Sequence, residues 1–294
     1  MKKYLIVTLL IFFSCGPSEE EIETIVENAV EEAVSDLSTT TTTSSTTTTT
    51  SSTTTTTSST TTTIPIKRLS VAIMAPLTGD LAPFGPFFVE ASKLAISEVN
   101  AEIAVYKYEF VPYVKDDSCS DKILDNFQEV IDINISYVVG PACSYDLQKL
   151  IESGKLRENP NLVLISPTVS SSTTLSLLSD SIYTLHTEGA INFDPSKDFV
   201  QKYDSRIESE FGTIQSSSYS RINEARYYDS TYILLLLLID NFINQNTNTD
   251  LEKYTNDGTK CNTNECISLL IEGKNIDYVG AIGDFSIINN HSDK

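Results

Sequence analysis

From Ser38 to Thr63 the chain contains only Ser and Thr. Nothing in that run can bury apolar surface, so it cannot fold and is expected to stay a disordered linker. It divides the chain: whatever folds must start near Ile64. The tract's use is reach, as a tether that holds a folded unit away from an anchor.

The segment before it explains what the anchor is. Lys2 and Lys3 precede an apolar stretch, Tyr4 to Phe13, which ends at Ser14-Cys15. This is the pattern of a cleaved export signal, and it is too short to span a bilayer. A Cys directly after a small residue resembles the bacterial lipobox, although Phe12 stands where Leu is usual. That reading makes Cys15 a lipidation site and the protein an exported, membrane-anchored lipoprotein, periplasmic or cell-surface. Plain signal cleavage with an unmodified Cys15 is the alternative. Residues 16–37 are acidic, with Ile22, Val26, Ala29, Val30 and Ala33 at helical spacing. They form an amphipathic helix that either self-associates or frays alone.

Charge excludes one class of partner. There are 40 acidic and 20 basic residues, a net charge of -20. Nucleic-acid binding needs Lys and Arg against phosphate, so no nucleic-acid partner is expected. Of five Cys, four remain if Cys15 carries lipid, an even number for an oxidising compartment.

After Ile64 the periodicity alternates. Arg68–Pro76 reads as a buried strand, Phe84–Asn100 as a helix, Tyr106–Val114 as a strand. A helix follows at Asp121–Asn134, capped by Ser120 or Asp121. Then come a strand at Ile135–Gly140, a helix at Tyr145–Glu158 and a strand at Leu162–Ile165. Such alternation predicts βαβ units and a parallel sheet flanked by helices. Beyond a Ser-rich stretch, Ile182–Leu185 is strand-like, Pro195–Phe211 and Asn223–Asn246 are helical, Cys266–Glu272 is a short helix, and Tyr278–Ile288 reads as strand and turn. The apolar run Tyr232–Ile239 is bracketed by Asp229 and Asp240, which suits a buried helix and not a membrane span.

Three segments carry a family resemblance. VAIMAPLTGDLAPFGPFFVEASKLAISEVNA (Val71–Ala101) has an opening strand, a P-x-T-G loop, an aromatic-Gly pair and a helix ending in E-x-N. Val114–Leu150 has D-D-x-C before one helix and G-x-x-C-S before the next. LVLISPTVSSSTT (Leu162–Thr174) has I-S-P before a Ser/Thr turn. In this order they resemble the type I periplasmic binding proteins of the branched-chain amino-acid (leucine-binding) family, receptors of ABC importers. ARYYDSTYILLLLLID and YVGAIGDFSI are weaker matches further on. The resemblance implies an α/β, periplasmic-binding-protein type I-like fold, an amino-acid-like small-molecule ligand and an ABC permease partner. It implies ligand contacts from Ser144, Thr168, Val169 and Ser170, with Phe84 packing nearby. Ser144 also reads as a plain helix N-cap and Ser170 as a turn residue. The family places a disulfide at the positions of Cys119 and Cys143. Cys261 and Cys266 read as a second, local bridge, since a C-x4-C pair lacks two zinc ligands.

The chain departs from the family where a second lobe would be inserted. Only a short Ser/Leu stretch lies between Thr174 and Ile182, where a lobe-sized piece is expected. The organisation expected is therefore a first lobe at 64–180 and residual second-lobe or hinge segments and return helices at 181–294, with the second lobe largely missing. Glu188 has no matched role. His186 and His291 have no partner spacing for a metal or triad, and Asp116-Asp117 reads as a strand-end turn. No nucleophile elbow, P-loop or paired-acid motif occurs, so no catalytic residues, metal or cofactor are expected. The sequence thus favours a solute-binding lipoprotein. A surface lipoprotein reusing the lobe for sensing or protein contact, without transport, is the competing reading.

Overall fold

A computed structural model describes residues 65–120, 122–179, 181–186, 195–212, 218–247, 249–256, 258–283 and 285–289. The calls on Cys15, on 16–37, on the 38–63 tether, and on Asp121, Glu188 and His291 lie outside the described residues.

The first half alternates as β1 (Lys67–Ala75), α1 (Gly85–Ile103), β2 (Tyr108–Asp116), α2 (Ile123–Asp132), β3 (Tyr137–Val139), α3 (Ser144–Glu152), α4 (Lys155–Glu158) and β4 (Val163–Ser166). Then follow α5 (Ser172–Leu175), β5 (Ile182–His186), α6 (Lys197–Phe211), α7 (Ser218–Phe242), β6 (Thr259–Cys261), α8 (Thr263–Ile271), β7 (Ile276–Tyr278) and β8 (Ser286–Ile288). The main sheet has the order β2-β1-β3-β4-β5-β8. Its first five strands are parallel and β8 runs antiparallel beside β5. Leu164 pairs with Ile182, so the sheet runs unbroken across residue 180, and both halves of 64–294 build it. β6 and β7 form a separate parallel pair.

Period-two alternation decides which helix meets which face. Val71, Ile73 and Ala75 of β1 join the core under α1, α6, α7 and α8. Ala72 and Met74 point the other way, to the core under α2, α3 and α4. All five are fully buried, as a strand covered on both faces must be. β2 is the edge strand, and it carries Pro112, which lacks a ladder donor and is tolerated there. Asn100, near the end of α1, exchanges both its amide groups with the backbone of Phe110 at 2.8 Å and ties the helix to that edge.

In α7, Tyr232 through Ile239 are each at most 1% exposed. The helix packs against α1, α8, β3 and β4, which explains why it is apolar all round. Among the described residues no helix is long and apolar enough to cross a membrane. Two short elements differ from the sequence reading. The helix expected over Tyr145–Glu158 is two, because Gly154 takes a left-handed φ of 81° between α3 and α4. The Ser-rich stretch after Ser170 contains α5, whose N-cap Ser171 accepts from the Thr174 amide.

Asp229, in the middle of α7, fastens the C-terminal segment. It is fully buried and accepts from the Tyr278 hydroxyl at 2.8 Å and from the amides of Ala281 and Ile282 at 2.7 and 2.9 Å. Gly280 is required beside it, since a Cβ there would lie 2.5 Å from the carboxylate. Asp229→Ala leaves three buried donors unpartnered and is expected to lower unfolding free energy by roughly 3–5 kcal/mol. Urea denaturation followed by circular dichroism measures it.

Candidate functional site

In an open α/β sheet a crevice opens at the carboxyl ends of the strands where the chain reverses direction. Here β1 is flanked by β2 on one side and β3 on the other, so the loops after β1 and β3 diverge. Gly140, just past β3, has a φ of 106°, and a Cβ on it would come within 2.2 Å of the Met74 carbonyl oxygen. Only glycine lets the two strand ends lie this close.

The loops are pinned by carboxylates. Asp116, the last residue of β2, accepts from the amides of Leu77, Thr78 and Ser118 at 2.8, 3.1 and 2.9 Å. Its neighbour Asp117 accepts from the Ala142 amide at 2.7 Å. The Asp116-Asp117 pair therefore joins the ends of β1, β2 and β3. The disulfide Cys119–Cys143, with Cα atoms 5.5 Å apart, closes the same ring. Cys261–Cys266 bridges β6 to the first turn of α8.

Ser144 is not the N-cap of α3. Cys143 holds that position in extended conformation, and Ser144 is the first helical residue. The Ser144 hydroxyl instead accepts from the amides of Ser170 and Ser171 at 3.3 and 3.4 Å. Thr168 donates its hydroxyl to the Ala142 carbonyl at 2.6 Å, and Ser166 donates to the Pro141 carbonyl at 2.6 Å. The β3 and β4 loops are thus laced together.

Beside them lies a cleft of about 250 Å³. Leu81, Phe84, Phe88 and Ala142 give it an apolar wall, and Thr168, Ser170, Asn223 and Arg226 give it polar groups. Of the residues expected from the sequence, Phe84, Thr168 and Ser170 line this cleft together. Ser144 is one hydrogen bond behind Ser170. Val169 points away, 4% exposed in the core beneath α2 and α3. Sequence reasoning missed Leu81, Phe88, Asn223 and Arg226. The last two sit on α7 and reach the cleft only through tertiary packing, with no local signal in the sequence.

Under the Ala142 loop is a third acid, Asp146. It is fully buried, and neither oxygen makes a hydrogen bond of normal geometry, the Cys119 backbone being the polar group beside it. Burial, then the charges of Asp117 and Asp116, push its pKa up to about 8. Asp117 is pushed up to about 7, mainly by burial. Both are raised above the ordinary carboxylate value, so the folded state keeps a proton that the unfolded state loses. Their stabilising contribution is complete below about pH 4. It is lost as pH rises, through about 7 for Asp117 and about 8 for Asp146.

No protein-family model matches the sequence, and no curated protein does. Solved structures are similar in part. An amino acid ABC transporter substrate-binding protein from Pseudomonas fluorescens is 18% identical over 41% of this chain and 31% of its own, with a TM-score of 0.35. A periplasmic binding protein type 1 from Bordetella pertussis is 17% identical over 40% and 33%, with a TM-score of 0.35. A leucine-binding protein from Thermotoga maritima is 14% identical over 57% and 46%, with a TM-score of 0.34. The chain spans about a third of the length of the first two and under half of the third. The solved structures it is similar to are type I periplasmic binding proteins of ABC transporters, at low identity and over part of each chain.

Two outcomes follow for stability. Replacing both Cys119 and Cys143 by Ser is expected to cost about 3 kcal/mol in urea unfolding, because the bridge closes a span of 24 positions. Asp146→Asn is expected to flatten the decline of stability between pH 5 and 7 by up to about 1.4 kcal/mol per pH unit. Denaturant midpoints taken across that range measure it.

Proposed function

We propose that this chain is an exported solute-binding protein that serves the permease of an ABC importer and holds one small carboxylate-bearing solute, an amino acid or a relative of one. In this reading Cys15 carries the lipid, residues 38–63 are the tether, and the unit that begins near residue 64 is the receptor. The observation that carries the proposal is the convergence of Phe84, Thr168 and Ser170 on one cleft at the carboxyl ends of the strands. Those residues come from two loops 86 positions apart at the extremes, and the motifs that singled them out were read from sequence. An apolar wall with a few convergent polar groups is what small-solute sites are made of.

The cleft is small. Pockets that take drug-sized ligands run from roughly 300 to 1,000 Å³, against about 250 Å³ here. A solute the size of an amino acid is the appropriate scale. Ser144 supports the site by holding the Ser170 and Ser171 amides in place. The Ser166 and Thr168 hydroxyls donate to the Pro141 and Ala142 carbonyls and tie the β4 end to the β3 loop.

Isothermal titration of the chain from residue 16 onward, against a panel of amino acids, their amides and small carboxylic acids, tests the proposal. A saturable heat with one ligand per chain is expected. Phe84→Ala should weaken it at least about tenfold, since a half-buried aromatic contact contributes on the order of 1.5 kcal/mol or more. Silence across the panel with a cooperative melting curve would remove the solute-binding reading.

A further inference from the structure

We propose that the Cys119–Cys143 bridge is a thiol-exchange site: an external dithiol attacks the Cys119 sulfur, the Cys143 sulfur departs, and Asp146 gives its proton to the departing sulfur. This chemistry needs no solute in the cleft. Its starting point is a buried acid with no structural employment. Asp146 is fully buried on the first turn of α3 and makes no hydrogen bond of normal geometry, the Cys119 backbone being the polar group beside it. A polar group so placed costs stability. One of its oxygens and the two sulfurs lie within 4.8 Å of one another, and among the described residues no other three Cys, His or acid groups come as close.

The helix dictates the pairing. Cys143 is the N-cap of α3, and Asp146 stands three residues on. A carboxyl at that position reaches back toward the N-cap residue. An N-cap side chain ordinarily accepts from the first-turn amides. Cys143 makes no such bond, and its sulfur is engaged in the bridge. Once released, that sulfur sits at a helix N-terminus, where backbone amides and the helix dipole favour a thiolate. The sulfur with the more acidic thiol leaves faster, so Cys143 departs and Cys119 is attacked. Cys119 and Cys143 both keep part of their surface in solvent, whereas Cys261 and Cys266 are buried.

The departing sulfur meets acids. Around Asp146 stand Asp117 and Asp116 at the end of β2 and the Tyr227 hydroxyl of α7, which donates to the Met74 carbonyl. A bare thiolate would add one more negative charge to that group. Asp117 lies 3.9 Å from the sulfur that is attacked and already accepts from the Ala142 amide. Burial, then Asp117 and Asp116, raise the Asp146 pKa to about 8 and favour the form that has a proton to give.

The step balances. The attacking thiolate bonds to the Cys119 sulfur, and the S–S electron pair leaves on the Cys143 sulfur. That sulfur takes the Asp146 proton, and the carboxylate regains one from water. The second thiol then displaces Cys119, losing its proton to water while Cys119 gains one. The bridge is reduced to two thiols, and the dithiol is oxidised to a disulfide.

For the test, free thiols of the full chain are blocked with N-ethylmaleimide. The chain then meets dithiothreitol for timed intervals, is quenched in acid and is labelled with heavy-isotope maleimide. Mass spectrometry of the peptides reads each bridge separately. Cys119–Cys143 should open at least about tenfold faster than Cys261–Cys266. Its rate per dithiothreitol thiolate should fall about tenfold between about pH 6.5 and about pH 9, as Asp146 loses its proton. Asp146→Asn should be at least about tenfold slower at about pH 7 and lose that pH dependence, with the Cys261–Cys266 rate unchanged as the sign of an intact fold. Asp117→Asn should keep the fall, moved to lower pH because a neighbouring charge is gone. A brief exposure to glutathione should leave its adduct on Cys119. The wild-type pH profile and the adduct position need no variant. Both bridges opening together, a rate per thiolate that does not fall with pH, an unchanged profile in Asp146→Asn, or glutathione on Cys143 overturns the proposal.

Discussion

Val71 to Ala75 have no exposure on either face, and that constraint propagates through the whole molecule. A strand with both faces buried needs helices on both sides of its sheet. One crossover, through α1, carries the chain to β2 at one edge; the next, through α2, must return it past β1 to β3. Reversal of direction beside β1 parts the loops at the carboxyl ends of the strands, and a crevice at that point is the geometric result. The cleft walled by Phe84, Ala142 and Thr168 is therefore a consequence of covering five apolar residues.

A crevice between diverging loops has no rigidity of its own. Here it comes from acids placed at the end of β2. Asp116 gathers three amides and Asp117 a fourth, so loops from three strands share two adjacent side chains. The Cys119–Cys143 bridge repeats the connection covalently. Asp146 lies in the same place without a hydrogen bond of normal geometry. Burial and the two neighbouring acids raise its pKa and so favour its protonated form. Four backbone amides thus converge on Asp116 and Asp117 at the strand ends that border the cleft.

This physics sorts what was legible in the sequence. Patterns set by burial were readable: β1 from its continuous apolar run, α7 from Tyr232–Ile239, the parallel sheet from strand–helix alternation. Patterns set by single backbone angles were not. Gly154 splits a helix that periodicity alone would continue, and Ser144 loses its capping role because Cys143, bonded to Cys119, takes the extended conformation first. β6 is three residues of Thr-Lys-Cys and carries no apolar signal at all. Within the site, the loop residues Phe84, Thr168 and Ser170 were legible because motifs mark them. Asn223 and Arg226 were not, because they reach the cleft from a helix more than fifty positions later, through tertiary packing that no local pattern encodes. Val169 was misleading for the converse reason: its neighbours face the cleft, and alternation turns it into the core.

The contribution of α7 bears on how a binding unit of this kind can work. A hinged receptor obtains affinity by closing one lobe over a ligand held on another. Among the described residues the polar groups of the cleft come from α7, with Asn223 and Arg226, and from the loop after β4, with Thr168 and Ser170, and α7 is packed on the sheet that carries that loop. Both sides then belong to one core, and the Phe88–Tyr227 stack joins α1 to α7 directly behind the cleft. Were the cleft to take a solute as proposed, its walls would be in place beforehand and little ordering cost would attend binding. The same rigidity limits how much of the ligand can be enclosed.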